Sequence, residues 1–269
     1  MQNTDLTRDT LFSFGAMADS AYEYLGKTYQ LLHGVGAAVQ YKMMYEFAMD
    51  TAIRHLLFRP SVPDKADILM SGTVRANNPE SVVLNPEGQH LACFVGGMLA
   101  LGGRLVKNET YVEYGRKVTD GCIWTYQHAP NGIMPEMFTM TPCPSHEACP
   151  YNASIPQQHP GFGHVSDARY MLRPEAIESV FYMYRITGDA SYQDIAWDMF
   201  QAIDSRSRTD YANAAIEDVM RSDGKKVDKM ESFWLGESLK YFYLMFSEPA
   251  YMSLDDWVFN TEAHPFRLT

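Results

Sequence analysis

The stretch Met171-Leu172-Arg173-Pro174-Glu175-Ala176-Ile177-Glu178-Ser179 carries an arginine, a proline and two carboxylates one turn apart, and an aromatic run follows it. Proline at the first helical position gives up only an N–H that would go unpaired there, and its φ is preset. The spacing predicts a helix from Pro174 through Phe181, Tyr182 and Tyr184 to Thr187, ended by Gly188. Glu175 falls in the first turn, where the positive end of the helix dipole favours an ionised carboxylate. Glu178 follows on the same face.

The same signals recur outward from this helix. Residues 19–33 read as a helix with Tyr22, Leu25, Tyr29 and Leu32 at helical spacing, broken by Gly34 and Gly36. A second helix spans 37–57, with Met43, Phe47, Ile53 and Leu57 directed toward the core, and Pro60 and Pro63 stop the chain beyond it. The loop that follows holds one short strand at 68–70. Residues 91–106 are apolar nearly all round and contain Gly96, Gly97, Gly102 and Gly103. Such glycines cost helix stability unless close backbone packing repays them, so this is an inner helix. Asn108 caps the next helix, which carries Tyr111, Val118, Cys122 and Tyr126 on one face. A proline-rich loop covers 127–166. A helix at 191–209 bears Trp197, Phe200 and Ile203, and a last long helix starts near Asp228 and runs through Phe233, Trp234, Leu239 and Phe246. The repeating unit is a helical hairpin, and the fold class is all-α.

The 269 residues, 46% hydrophobic and 20% charged, are enough for a substantial core. The 33 acidic against 22 basic residues leave a net charge of -11, without a basic cluster to track a phosphate backbone. Nucleic acid is therefore excluded as a partner. No apolar run is long enough to span a bilayer, and the opening Met1-Gln2-Asn3-Thr4-Asp5 carries no targeting information. The 17 tyrosines suit a sugar-lined cleft and a helical core equally. Four cysteines, Cys93, Cys122, Cys143 and Cys149, fit two disulfides, while a zinc site using Cys143, His146 and Cys149 is the alternative. The sequons Asn108-Glu109-Thr110 and Asn152-Ala153-Ser154 agree with an oxidising secretory compartment.

Five motifs stand in order along nearly the whole chain: Phe14 to Tyr24 around Asp19, His90-Leu91-Ala92-Cys93-Phe94, Leu172 to Ser179, Asp228 through Phe233 to Gly236-Glu237-Ser238, and Phe259-Asn260-Thr261-Glu262-Ala263-His264-Pro265. Together they resemble the class I α-1,2-mannosidases, glycoside hydrolase family 47. The resemblance implies an (αα)7 toroid of paired helices and a calcium-dependent, inverting enzyme that removes α-1,2-linked mannose from high-mannose N-glycans. It implies Glu175 as the catalytic base and Asp19 as a second acidic catalytic residue, which would otherwise read as a helix cap. Arg173 and Phe233 become contacts to the glycan, and His90 a histidine lining the site. Thr261 becomes the Ca2+ ligand through its hydroxyl and carbonyl, with Glu136, Glu178, Glu237 and Glu262 holding the surrounding waters. Cys93 and Cys122 match the family's recurrent disulfide, which leaves Cys143 with Cys149.

An inverting glycosidase needs a carboxylic acid and a carboxylate base on opposite faces of the sugar, roughly 6.5–9.5 Å apart. The family's usual general acid belongs to an N-terminal part of the domain to which nothing here corresponds. Residues 1–269 are thus expected to form only the C-terminal part of the toroid, inactive or weak alone, with open ends that expose apolar helix faces. Met17 stands where members that remove a single mannose carry arginine, which implies trimming of several mannoses. The resemblance places the protein in the endoplasmic reticulum or Golgi, or outside the cell, with membrane contact only through an anchor elsewhere. The alternative is a catalytically silent, mannose-binding relative in glycoprotein quality control.

Overall fold

A computed structural model describes residues 10–78 and 81–268. Its helices are α1 (Asp19–Leu31), α2 (Ala38–His55), α3 (Phe94–Val106), α4 (Glu109–His128), α5 (Glu175–Thr187), α6 (Ser191–Ser207) and α7 (Leu239–Met245). They pair as the hairpins α1–α2, α3–α4 and α5–α6, while α1, α3, α5 and α7 pack successively into a row. The glycines of α3 explain why the row is tight. A Cβ on Gly96 would lie 2.2 Å from Thr119 Oγ1 on α4, one on Gly97 2.7 Å from the Tyr182 ring on α5, and one on Gly102 2.1 Å from the Tyr45 hydroxyl on α2. Three neighbouring helices thus reach the α3 backbone, and the helix-propensity cost of the glycines is offset by that contact.

The predicted helix starts and stops hold where local chemistry sets them. Asn108 Oδ1 accepts from the Thr110 N–H at 3.0 Å, capping α4. Gly188 ends α5 at φ 71°, and Gly34 and Gly36 turn the chain after α1 at φ 68° and 58°. Two disulfides, Cys93–Cys122 and Cys143–Cys149, are closed. The second rules out the zinc alternative, and both His146 ring nitrogens are engaged besides, Nε2 with the Leu57 carbonyl at 2.9 Å and Nδ1 with the Tyr114 hydroxyl at 3.5 Å.

Three expectations are corrected. The core is helical, but the fold is not all-α: the described residues include five small sheets of two or three strands. One pairs Thr73–Asn78 with Ser81–Asn85 and Leu11–Ser13, where only a short strand at 68–70 was expected. The last helix begins five residues late, because Lys226–Val227 pairs with Ala215–Ile216 and the Lys229 carbonyl accepts from Ala215, which ties down the backbone around Asp228. It then opens with a wide turn, Trp234–Ser238, in which the Leu239 N–H reaches back to the Trp234 carbonyl. Finally, α2 buries Tyr45, Met49 and Ala52, leaving Met43 and Phe47 65% and 77% exposed. Among the described residues no helix is long and apolar enough to cross a membrane.

Candidate active site

The N-terminal ends of α1, α3 and α5 converge on one cavity, lined by Asp19, Glu23, Phe94, Glu175, Glu178, Glu237 and Thr261 among others. Their C-terminal ends meet a different cavity, lined by Gln30, Arg104 and Arg185, so the three helices run parallel. Helix N-termini gathered this way present positive dipole ends to a wall of carboxylates. Asp19, Glu175, Glu178, Glu237 and Thr261, predicted from four separate motifs, are brought together here.

Glu175 is held from two sides. Arg173 Nη1 lies 3.4 Å from its Oε1, and His90 Nδ1 lies 3.2 Å from its Oε2. A carboxylate has about four lone-pair sites, so both oxygens retain acceptor capacity for a further donor such as water. Arg173 is in turn fixed by Glu136, which accepts from its Nε, and its guanidinium stands 5.9 Å from the centre of the Phe233 ring. Glu136 also accepts from the Met171 N–H at 3.0 Å. Its position follows from the sheet that joins Glu87–Gln89, Met137–Thr139 and Val165–Asp167 beside the start of α5.

Two residues expected in contact with ligand sit behind the wall. His90 is fully buried, its Nε2 2.8 Å from the Tyr126 hydroxyl, so it orients Glu175 and does not line the cavity. Glu136, 7% exposed, braces Arg173 from below. Burial explains both, since each spends its polar atoms on protein partners. Glu262 points to solvent, 3.6 Å from His264, and reaches the cavity only through its field.

Thr261 lies in the turn between Trp257–Phe259 and Pro265–Arg267. Asn260 Oδ1 accepts from the Glu262 and His264 N–H groups, the Thr261 N–H donates to the Tyr24 hydroxyl at 3.3 Å, and Lys240 donates to the Ala263 carbonyl at 2.8 Å. Ala263 takes φ 55°. Leu172, at φ 65° just before Arg173, has its carbonyl held by Ser238 at 2.7 Å. A left-handed non-glycine residue costs about 1–2 kcal/mol, which is spent here on aiming the residues beside it.

The electrostatics are set by crowding. Burial, with repulsion from Glu175 and Glu262, pushes the Glu237 carboxyl up to about 7. Burial likewise raises Glu178 well above the carboxylate range against the pull of Lys27, and the Tyr241 hydroxyl donates to it at 3.0 Å. Sequence reasoning missed Glu23 and Lys27, which with Asp19 recur every four residues along α1. That stripe was the available signal, hidden because tyrosines and leucines on the other faces look more like core. Among the described residues no three His, Cys, Asp or Glu side chains converge into a metal cage. The donors around the cavity are nevertheless all oxygen, from carboxylates and Thr261, which suits a hard cation held partly through water.

Comparison with known proteins finds similar chains among the alpha-1,2-mannosidases. A mannosyl-oligosaccharide alpha-1,2-mannosidase of Coccidioides posadasii is 36% identical over 274 residues, which is 98% of this chain and 50% of that protein. The enzyme of the same name, type IA, from Spodoptera frugiperda is 34% identical over 94% of this chain and 35% of its own length. The solved alpha-1,2-mannosidase from Trichoderma reesei superposes with a TM-score of 0.85 at 34% identity, covering 97% of this chain and 53% of that one. The chain therefore spans about half, or less, of the length of the relatives it matches. The match to glycosyl hydrolase family 47 extends over residues 1–268, and the chain belongs to that family.

Proposed function

We propose that this chain carries the base side of a calcium-dependent, inverting α-1,2-mannosidase site acting on high-mannose N-glycans. The observation that carries the reading is Glu175, braced by His90 and Arg173 at the mouth of a cavity it shares with Asp19, Glu237 and Thr261. In this reading Glu175 accepts a proton from the attacking water, on the face of the sugar opposite the departing oxygen. His90 and Arg173 hold its two oxygens so that the remaining lone pairs face the water. Phe233 and the guanidinium it stacks against offer the sugar an apolar face and a donor edge. Asp19 supplies a second negative charge across the cavity.

Calcium fits the donors present: Thr261 would bind it through hydroxyl and carbonyl, with Glu178 and Glu237 holding waters around it. When bound it supplies fixed positive charge and an anchor for sugar hydroxyls. The proton for the leaving oxygen is assigned to the half of the relatives that this chain does not span, so the isolated chain is expected to turn over little. The partial-toroid reading is supported by that coverage and by the exposed Met43 and Phe47 on α2. The two disulfides support a secretory or extracellular setting.

The test is titration of α-1,2-mannobiose into the chain, with calcium and with EDTA, alongside release of mannose from a high-mannose glycan. Binding that needs calcium and is retained in Glu175→Gln, with release at most traces, is the expected result. Brisk release by the chain alone overturns the assignment of the acid to the other half, and calcium-independent binding overturns the calcium reading.

A further inference from the structure

Lys27 has no part in the reading above, yet it is the most enclosed cation near the cavity, with its side chain 5% exposed. Its ammonium pairs with Glu23 one turn earlier on α1, lies 3.9 Å from Glu178 Oε1 on α5, and stands 5.4 Å from the centre of the Tyr182 ring. Glu178 Oε1 also accepts from Tyr241 on α7. One buried charge therefore ties together three helices of the row whose ends make the cavity. Burial opposes that charge, but Tyr182, Glu23 and Glu178 outweigh it and keep Lys27 protonated.

Packing alone does not call for a lysine here. An apolar side chain of similar volume would fill the space without the desolvation penalty, so stability alone is weak ground for an ion pair here. The carboxylates it touches, Glu23 and Glu178, both line the cavity. We propose that Lys27 is a positioning residue: the resident cation that fixes the Glu23 carboxylate and the Glu178 carboxyl on the cavity wall before any other cation or sugar arrives. Removing it leaves two acidic side chains that either swing away or recruit another cation.

The test is thermal unfolding of the full chain as wild type, Lys27→Met, Lys27→Arg, Glu23→Gln and the double variant Lys27→Met/Glu23→Gln, each in EDTA and in millimolar calcium. In EDTA, Lys27→Met is expected to lower Tm by about 10 °C, because it orphans a buried carboxylate. Glu23→Gln should restore at least half of that loss, and Lys27→Arg should lose less than Lys27→Met. Calcium should raise Tm more in Lys27→Met than in wild type, since the dication replaces the missing charge; a purely packing role would leave the two shifts equal. Additive losses in the double variant overturn the proposal, as do equal and non-zero calcium shifts. If Lys27→Met does not accumulate folded, recovery of folded protein in the double variant is the readout, and failure to recover it overturns the proposal too. The calcium arm rests on the function proposed above: no calcium response in any variant refutes that reading, and the EDTA cycle then decides on Lys27.

Discussion

Glu237 offers the sharpest quantitative check, because its carboxyl is held near 7 by burial and by the charges of Glu175 and Glu262. A carboxyl whose folded pKa lies above its unfolded value stabilises the fold fully below pH 4.5, and that contribution is lost as pH rises to about 7. The interval between 4.5 and about 7 corresponds to about 3.4 kcal/mol at about 1.4 kcal/mol per pH unit. Glu237 is only half-buried, so solvent screening reduces this to about 1–2 kcal/mol. Glu237→Gln keeps the shape and removes the charge. In EDTA at pH 7.5 it should raise Tm by about 3–6 °C, at about 2–4 °C per kcal/mol for a chain of this size. At pH 4.5 the two proteins should melt together to within a degree or so. Calcium should reverse the order at pH 7.5, since a dication stabilises the ionised wild-type carboxyl and not the amide. Scanning fluorimetry across that pH range measures all three. A Gln variant no more stable than wild type at pH 7.5, or more stable by the same margin at both pH values, refutes the crowded-carboxylate argument.

Two further predictions test the packing that holds the site. Gly102→Ala, which would set a methyl 2.1 Å from the hydroxyl of buried Tyr45, should cost about 1–3 kcal/mol by overpacking, whereas Gly236→Ala, whose added methyl would meet open space beyond its own helix backbone and needs no positive φ, should gain about 0.5–1 kcal/mol; urea unfolding ranks them. Cys93→Ala/Cys122→Ala opens a loop of 29 residues and should cost about 3.6 kcal/mol by chain entropy. Cys143→Ala/Cys149→Ala, over 6 residues, should cost about 2.2 kcal/mol, so the first pair should show the larger fall in Tm.

Features written in local chemistry were legible in the sequence. The start of α5 follows from Pro174, its end from Gly188, and the cap of α4 from Asn108, because each depends on a few adjacent residues. The inner position of α3 was legible from its glycines, which have no other reason to crowd an apolar helix. Features that depend on distant neighbours were not. His90 and Glu136 belong to the site region, but only the folded chain shows that Tyr126, Met171 and Arg173 use up their polar atoms from behind. The wide turn that carries Glu237 leaves no periodic trace, since an extra residue per turn looks like noise in a helical pattern. The left-handed Leu172 is equally silent, because leucine gives no hint of positive φ.

The misreading of α2 is the most instructive, because the periodicity behind it was real. Val39, Met43 and Phe47 do recur every four residues, and so do Tyr45, Met49 and Ile53 on the other side. A hydrophobic pattern says which faces favour burial; it does not say which neighbour is present to bury them. Tyr45 wins its place because Gly102 leaves a notch in α3 for its ring and the Met98 carbonyl accepts its hydroxyl at 3.1 Å. Met43 and Phe47 face away from every helix that α2 meets in this chain. A helix apolar on two opposite faces belongs between two layers. In the partial-toroid reading proposed above, that second layer belongs to the half of the relatives that this chain does not span.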